Sequence, residues 1–387
     1  MKIGFEAKRA FNNGTGLGHY SRTLIQSLAN NFPLNEYLLY TPKVSNKFVI
    51  DGVNNIKIKK PSTLLNKSFS SVWRSKWVVK DLQKDKINLY HGLSHEIPIG
   101  IQKTNIKSVV TIHDLIHERY PEQYNPVDVR IYRKKFLHAC IHADKVIAIS
   151  KQTKDDIVEF YKIAESKIEI CYQSCNQSFA EQLSAEAKEA IRKKYNLPNE
   201  YLLYVGSIIE RKNLLNICKA IKILGNEIKI PLVAIGDGGS YKKIVQQYVA
   251  KEKLGDKIIF LSDNPLCNVS DFTTAKDFPA IYQLATCMVY PSTFEGFGIP
   301  VLEALWSKIP VITSNISCLP EAAGPGAFYV NPYSVQEIAE AIIKVLNDKT
   351  AVQQSVKIGW DYAQKFTQQA CASKVMAVYQ QLLQPNA

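Results

Sequence analysis

Short apolar runs alternate with longer amphipathic stretches along the whole 387-residue chain. In the first half, apolar runs at 2–5, 37–40, 55–58, 88–91, 108–112, 145–148 and 168–171 read as buried strands, being too short for buried helices. Between them, 20–30, 72–84, 129–143 and 151–160 carry helical spacing. The pattern then resets. Strands are expected at 201–205, 231–235, 257–260, 287–290, 311–313 and 327–330, and helices at 213–224, 241–251, 278–285, 301–305 and 335–346. Two successive βα series imply an α/β chain with two doubly wound parallel sheets. The Asn, Pro and charge content of KKYNLPNE at 193–200 marks a linker, which sets domains at 1–195 and 196–361. A helical stretch at 360–383 follows, and the segment 362–387 is expected to pack back on the first domain.

Composition narrows the class without naming a chemistry. Hydrophobic residues make up 46% and charged residues 21%, ordinary for a globular chain large enough to bury two cores. MKIGFEAKRAF at the start reads as a first strand followed by charge rather than a signal peptide, and no window is long enough to span a bilayer, so a cytosolic protein is expected. Eight cysteines are scattered without a framework spacing; Cys171 and Cys175 have no second ligand pair nearby, so no zinc site is expected.

Charge is uneven. Lysine and arginine number 48 against 35 acidic residues, a net +13, and the excess concentrates at 56–86. There Lys57, Lys59, Lys60, Lys67, Arg74, Lys76, Lys80, Lys84 and Lys86 face only Asp81 and Asp85, with Trp73 and Trp77 between them. Such a stretch is either a solvated helix face with two inward tryptophans or a surface for an anionic membrane or acidic acceptor. No nucleic-acid motif accompanies it, so no nucleic-acid partner is expected.

The candidate chemistry sits at predicted strand ends, where open α/β sheets take ligands. FEGFGIPVLEAL at 294–305 places Glu295 on a glycine-containing loop and Glu303 about one turn inside a helix that starts near Ile299 or Pro300, because proline suits the first helical position. Gly296 and Gly298 let backbone amides approach a ligand, and the helix N-terminus favours phosphate. Carboxylates beside such a pocket suit sugar hydroxyls. Taken alone, Glu303 could merely complement the helix dipole, with Glu295 a solvated loop residue. YVGSIIERKNL at 204–214 puts Arg211 and Lys212 after a strand, where two cations can stabilise a departing diphosphate. There is no Asp-x-Asp element for a divalent ion.

VTIHDLIHERYPE at 110–122 sets His113 and Asp114 directly after a strand, and His91 ends another; each histidine is either packed or a substrate contact. NGTGLGHYSR offers Gly14, Gly16 and Gly18 before a helix. Their G-x-G-x-G spacing, some eight residues beyond the first strand, does not fit a dinucleotide fingerprint, and no P-loop is present. No Ser-His-Asp order and no lone cysteine in a reactive context is visible, so hydrolytic covalent catalysis has little support.

Together these segments resemble the family 4 retaining glycosyltransferases of the GT-B fold, two Rossmann-like domains facing a cleft. The resemblance spans nearly the whole chain. Its most specific element is FEGFGIPVLEAL, which is similar to the family's E-x7-E motif, supported by GTGLGHYSR, TIHDLI, YVGSIIERKNL and PVITSNISCLPEAAG. Within the family the likeness is to bacterial mannosyltransferases that use GDP-mannose in lipopolysaccharide or capsule synthesis.

The resemblance implies a cytoplasmic, metal-independent, retaining hexosyltransferase without a cofactor, acting on a nucleotide-sugar donor and a glycan or lipid-linked acceptor. It implies that Glu295 contacts the transferred sugar, Glu303 the ribose diol, Arg211 and Lys212 the diphosphate, and His113 the anomeric region. It also gives donor contacts to the amides of Gly16, Phe297, Gly298 and Ile299 and to the loop of Gly206 and Ser207. Two departures stand out: Ser207 follows Gly206 where many members carry arginine, and 262–276 looks like an insertion. Within the same fold, an epimerase or phosphorylase is an alternative reading, as is a non-catalytic carbohydrate-binding protein.

Overall fold

The computed structural model describes residues 1–50 and 53–384, which divide into two compact units. The first unit comprises residues 1–174 and the stretch from Phe366 onward; the second is Cys175–Lys365.

The first unit is built on seven strands: β1 (Lys2–Glu6), β2 (Glu36–Tyr40), β3 (Ile56–Lys59), β4 (Leu89–Gly92), β5 (Lys107–Ile112), β6 (Lys145–Ala148) and β7 (Ile168–Ile170). They pair in parallel in the order β3-β2-β1-β4-β5-β6-β7. Ile3, Phe5, Leu89, Val109 and Ile147 are fully buried, as expected for strands covered on both faces. Each such side chain contributes about 1.5–3 kcal/mol of apolar burial. The C-terminal helix Gln368–Leu383 belongs to this unit: it lies on the helix Gly16–Asn31, and its Tyr379 hydroxyl is 2.5 Å from His91 Nδ1.

The second unit holds β8 (Leu202–Val205), β9 (Leu232–Ile235), β10 (Ile258–Phe260), β11 (Cys287–Tyr290), β12 (Val311–Ser314) and β13 (Phe328–Val330). They pair in parallel in the order β10-β9-β8-β11-β12-β13. The strand order reverses direction between β8 and β11, as it does between β1 and β4 in the first unit.

The boundary falls about twenty residues earlier than the linker reading places it, at 174/175 rather than 195/196. The helix Ala185–Tyr195 is the reason. Its Tyr195 is fully buried and donates to Asp277 Oδ2 at 2.6 Å, beside a 2.7 Å Lys194–Asp277 ion pair, so the helix is held by the second unit. The stretch 262–276 forms 3₁₀ turns and the short helix Ser270–Thr273, with the Phe272 ring 5.3 Å from that of Tyr195.

Two helices also differ from expectation. The one at 72–84 contains a π-helical turn, Trp73–Trp77, where Trp73 Nε1 reaches Asp81 Oδ2 at 2.6 Å. The one at 360–383 is broken: Lys349–Ala363 closes the second unit, and Thr367 caps the next helix by accepting from Ala370 N. The last three residues of the 362–387 segment lie outside the described residues.

Candidate functional site

In the second unit the chemistry gathers at the β8/β11 reversal, the place on an open α/β sheet where ligands bind outside the strand ends. After β8 the chain turns through Gly206, passes Ile208, and forms the 3₁₀ turn Glu210–Lys212. Asn213 locks this loop, its Nδ2 donating to Pro291 O at 2.9 Å and Pro332 O at 2.7 Å. Gly236 is required beneath it: φ is +147°, and a Cβ there would stand 1.9 Å from Gly206 O.

Glu295, buried in the loop after β11, ties the two strand ends together. Its Oε1 lies 3.0 Å from Arg211 Nη1 and 3.5 Å from Lys212 Nζ, and accepts from the hydroxyls of Tyr290 and Ser292, each at 2.9 Å. Lys212 also donates to Tyr290 Oη at 2.6 Å, so lysine, tyrosine and glutamate form one chain of bonds. Arg211 donates to Phe294 O, which pins the cation to the same loop. Burial pushes the Glu295 carboxyl up, but Lys212, Arg211 and the Ser292 and Tyr290 hydroxyls outweigh it and hold the pKa at about 2.

All of these donors converge on Oε1. Among the described residues Oε2 accepts from none, so it is the oxygen available to a ligand hydroxyl.

The loop then enters the helix Ile299–Trp306 with Pro300 in its first turn. Gly298 precedes the helix at φ +108°, where a Cβ would press Leu319 Cδ2 at 2.9 Å. Phe297 is buried and Ile299 half-buried, at the N-terminal end of the helix, where the backbone dipole favours negative charge. Glu303 follows one turn in, with Oε2 accepting from Tyr282 Oη at 2.8 Å. Burial raises its carboxyl to about 7 against the opposing effects of Tyr282 and Lys212.

Most of the residues singled out in the sequence therefore meet in this unit: Arg211, Lys212, Gly206 and Glu295 directly, with Phe297, Gly298, Ile299 and Glu303 on the adjoining helix start. Gly206 leaves room for the lysine, since a Cβ there would touch Lys212 Nζ at 3.0 Å. Ser207 is exposed, and its carbonyl accepts from Tyr204 Oη at 3.2 Å. Sequence reasoning missed Tyr290, Ser292 and Tyr282. A tyrosine ending the apolar run CMVY, followed by PST just before Glu295, was the available signal for the first two.

His113 and Gly16 lie in the first unit. His113 follows β5, buried; Nε2 donates to Leu93 O at 2.9 Å and Nδ1 accepts from Gln173 Nε2 at 3.3 Å, so both ring nitrogens are engaged. Burial lowers its pKa to about 4, keeping the ring neutral. Gly16 opens the helix Gly16–Asn31 and is exposed, with nothing near a would-be Cβ, whereas Gly18 is structurally required because a Cβ there would lie 2.0 Å from Asn13 O.

Among the described residues no group of three or more His, Cys, Asp or Glu could hold a metal ion, and no helix is long and apolar enough to cross a membrane.

Comparison with known proteins matches both halves. Residues 14–176 match the family described as Glycosyltransferase Family 4, and residues 187–365 the family described as Glycosyl transferases group 1. The chain is 27% identical to the O-antigen chain mannosyltransferase B of Escherichia coli over 99% of this chain and 100% of that protein. It is 31% identical to the O-antigen chain mannosyltransferase RfbU of Salmonella typhimurium over 62% of this chain and 59% of that one. Among solved structures, a glycosyltransferase from Rickettsia africae superposes with a TM-score of 0.74 at 19% identity, covering 100% of this chain and 99% of that one.

Proposed function

The chain belongs to the GT-B glycosyltransferases, family 4 in its first half and group 1 in its second, and on that premise we propose that it transfers mannose from GDP-mannose to a cell-surface glycan. Hexosyl transfer follows from the family; the mannosyl and GDP parts rest on the likeness to O-antigen mannosyltransferases. The observation that carries the reading is the Glu295 cluster, with Oε1 saturated by protein donors and Oε2 open. A carboxylate held ionised in this way accepts from hydroxyls of the transferred sugar.

Arg211, Lys212 and the N-terminus of the Ile299 helix favour the diphosphate, and Glu303 the ribose diol. The acceptor oxygen bonds to the anomeric carbon on the face the diphosphate leaves. The C–O bond electrons pass to the β-phosphate, whose oxygen takes the acceptor proton. The anomeric configuration is retained, and these cations supply the charge that a metal would otherwise bring. His113 would contribute by exchanging its long Gln173 bond for a sugar hydroxyl, and the exposed amide of Gly16 would meet phosphate.

We further propose a lipid-linked acceptor at an anionic membrane surface, with the enzyme peripheral on the cytoplasmic face. Lys60, Lys67, Lys76, Lys80, Lys84 and Lys86 have no acidic partner among the described residues, and Leu64 and Phe69, 84% and 53% exposed, stand among them. Trp73, in contrast, is buried, and Arg74 is committed to Glu6 and Glu96.

The test is calorimetry of GDP-mannose against UDP-sugars, followed by transfer in EDTA and NMR of the product's anomeric proton. Binding of UDP-sugars alone, loss of transfer in EDTA, or an inverted product would each remove the corresponding part of the reading.

A further inference from the structure

The first unit has its own strand-order reversal, between β1 and β4, and a polar cluster stands there that the reading above does not use. The strap 93–96 leaves β4 at this point. Gly92 lets it curl tightly, since a Cβ there would stand 1.9 Å from Glu96 O. The strap is then pinned along its length. Leu93 O accepts from His113 Nε2 at 2.9 Å, His95 N donates to Thr111 O at 2.9 Å, and Glu96 pairs with Arg74 at 3.0 Å and Lys135 at 3.1 Å. Across the reversal, buried Glu6 ends β1 with its carboxylate 3.7 Å from the same Arg74.

Two polar atoms of this rigid strap are left over. Ser94 Oγ is enclosed, in a residue 8% exposed, and has no hydrogen-bond partner among the described residues. Leaving a buried hydroxyl unpaired is costly, and native structures do so where something else completes it. The second atom is His95 Nε2. The backbone N–H of His113 can only donate, so His95 Nδ1, 3.4 Å away, accepts, and the neutral ring carries its proton on Nε2. No described residue accepts that proton.

His95 is also held under strain. Its φ is +64°, a left-handed conformation uncommon for a bulky residue, and its ring lies flat on Phe136 with centroids 4.1 Å apart and planes 2° from parallel. Such strain gathers at ligand-holding positions. Burial, then the charges of His113, His117 and Arg9, keep the ring neutral.

We propose that Ser94 and His95 form a binding subsite for the acceptor sugar, in which the His95 Nε2–H donates to one hydroxyl and Ser94 Oγ bonds to its neighbour. The proposal rests on the transferase reading for the identity of its ligand, a pyranose with adjacent hydroxyls. Neither side chain is assigned a part in the chemical step.

The test uses the full chain and methyl α-mannoside as the probe. Ser94→Ala and His95→Asn are compared; asparagine tolerates the left-handed backbone and can still accept from His113 N, but does not reach as far as Nε2. Each variant is expected to raise the KM for methyl α-mannoside about 5- to 10-fold, while the Kd for GDP and the rate of GDP-mannose hydrolysis stay unchanged. In 15N-histidine-labelled wild-type protein, the sugar should shift the His95 Nε2 resonance. An unmoved resonance with unchanged KM overturns the subsite. So does a joint fall in GDP affinity and melting temperature, which would make both residues merely structural. If the wild type neither binds GDP nor hydrolyses GDP-mannose, the transferase reading fails, while a sugar-dependent shift of the His95 resonance would still support the subsite.

Discussion

Lys212 reaches Glu295 by two routes: its Nζ lies 3.5 Å from Glu295 Oε1 and donates at 2.6 Å to the Tyr290 hydroxyl, which in turn donates to that same oxygen. The lysine and the carboxylate act as one group. Glu295→Ala and Lys212→Ala should each lower kcat/KM about 100-fold or more, measured with GDP-mannose and acceptor, while circular dichroism shows the fold intact. Tyr290→Phe should lower it less, because the direct ion pair remains. Near wild-type turnover in Lys212→Ala would remove the lysine from the leaving-group role.

The same cluster sets a pH dependence of stability. The Glu295 pKa is about 2 in the folded chain against an ordinary value of 4.5, so its contribution is present above about pH 4.5 and is lost as pH falls toward 2. Melting temperature followed from pH 6 to pH 3 should fall more steeply in the wild type than in Glu295→Gln. Parallel curves would show that the carboxylate contributes no ionised-state stability.

Glu303 works in the opposite direction. Its folded pKa of about 7 lies above 4.5, so the stability it contributes is full below pH 4.5 and is lost as pH rises through 7. A ribose diol bonds best to the ionised form. GDP affinity should therefore rise between pH 6 and pH 8 and then level off, and Glu303→Gln should flatten the profile. A wild-type Kd independent of pH over this range would contradict the ribose assignment.

Two glycines of the first unit should separate fold from function. Gly18→Ala forces a Cβ to 2.0 Å from Asn13 O and should destabilise the protein by more than about 1 kcal/mol in a urea melt. Gly16→Ala meets open space at a helix start and should leave the melt unchanged or slightly improved. If the Gly16 amide meets phosphate, the alanine methyl should still raise the donor KM.

The lysine-rich surface makes a salt-dependent prediction. Sedimentation with vesicles containing anionic lipid should capture the protein at low salt and release it at high salt. Leu64→Ser with Phe69→Ser should weaken capture at low salt. No binding to such vesicles at low salt would leave the membrane contact without support.

Much of this protein is legible in its sequence because buried parallel strands are short, continuous apolar runs. Residues 287–290 and 145–148 were located to the residue, as Cys287–Tyr290 and Lys145–Ala148. Glu295, Arg211 and Lys212 were found by their place after such runs. The boundary at 174/175 was not legible, because the charged helix Ala185–Tyr195 carries no mark of which unit its Tyr195 enters. Neither was the π turn Trp73–Trp77, whose first residue bonds through its indole to Asp81 in the following helix.

The sequence by itself determined the βα repeat, the two sheets and the residues at the strand ends, since periodicity and loop position are local properties of the chain. Only the tertiary structure decided how those residues divide their hydrogen bonds. Glu295 commits one oxygen to Arg211, Tyr290 and Ser292 and keeps the other open, His113 spends both ring nitrogens on Leu93 and Gln173, and Ser94 and His95 keep a polar atom each. Those partners come from strands and loops far apart in sequence, and a donor's direction is settled only when the chain closes around it.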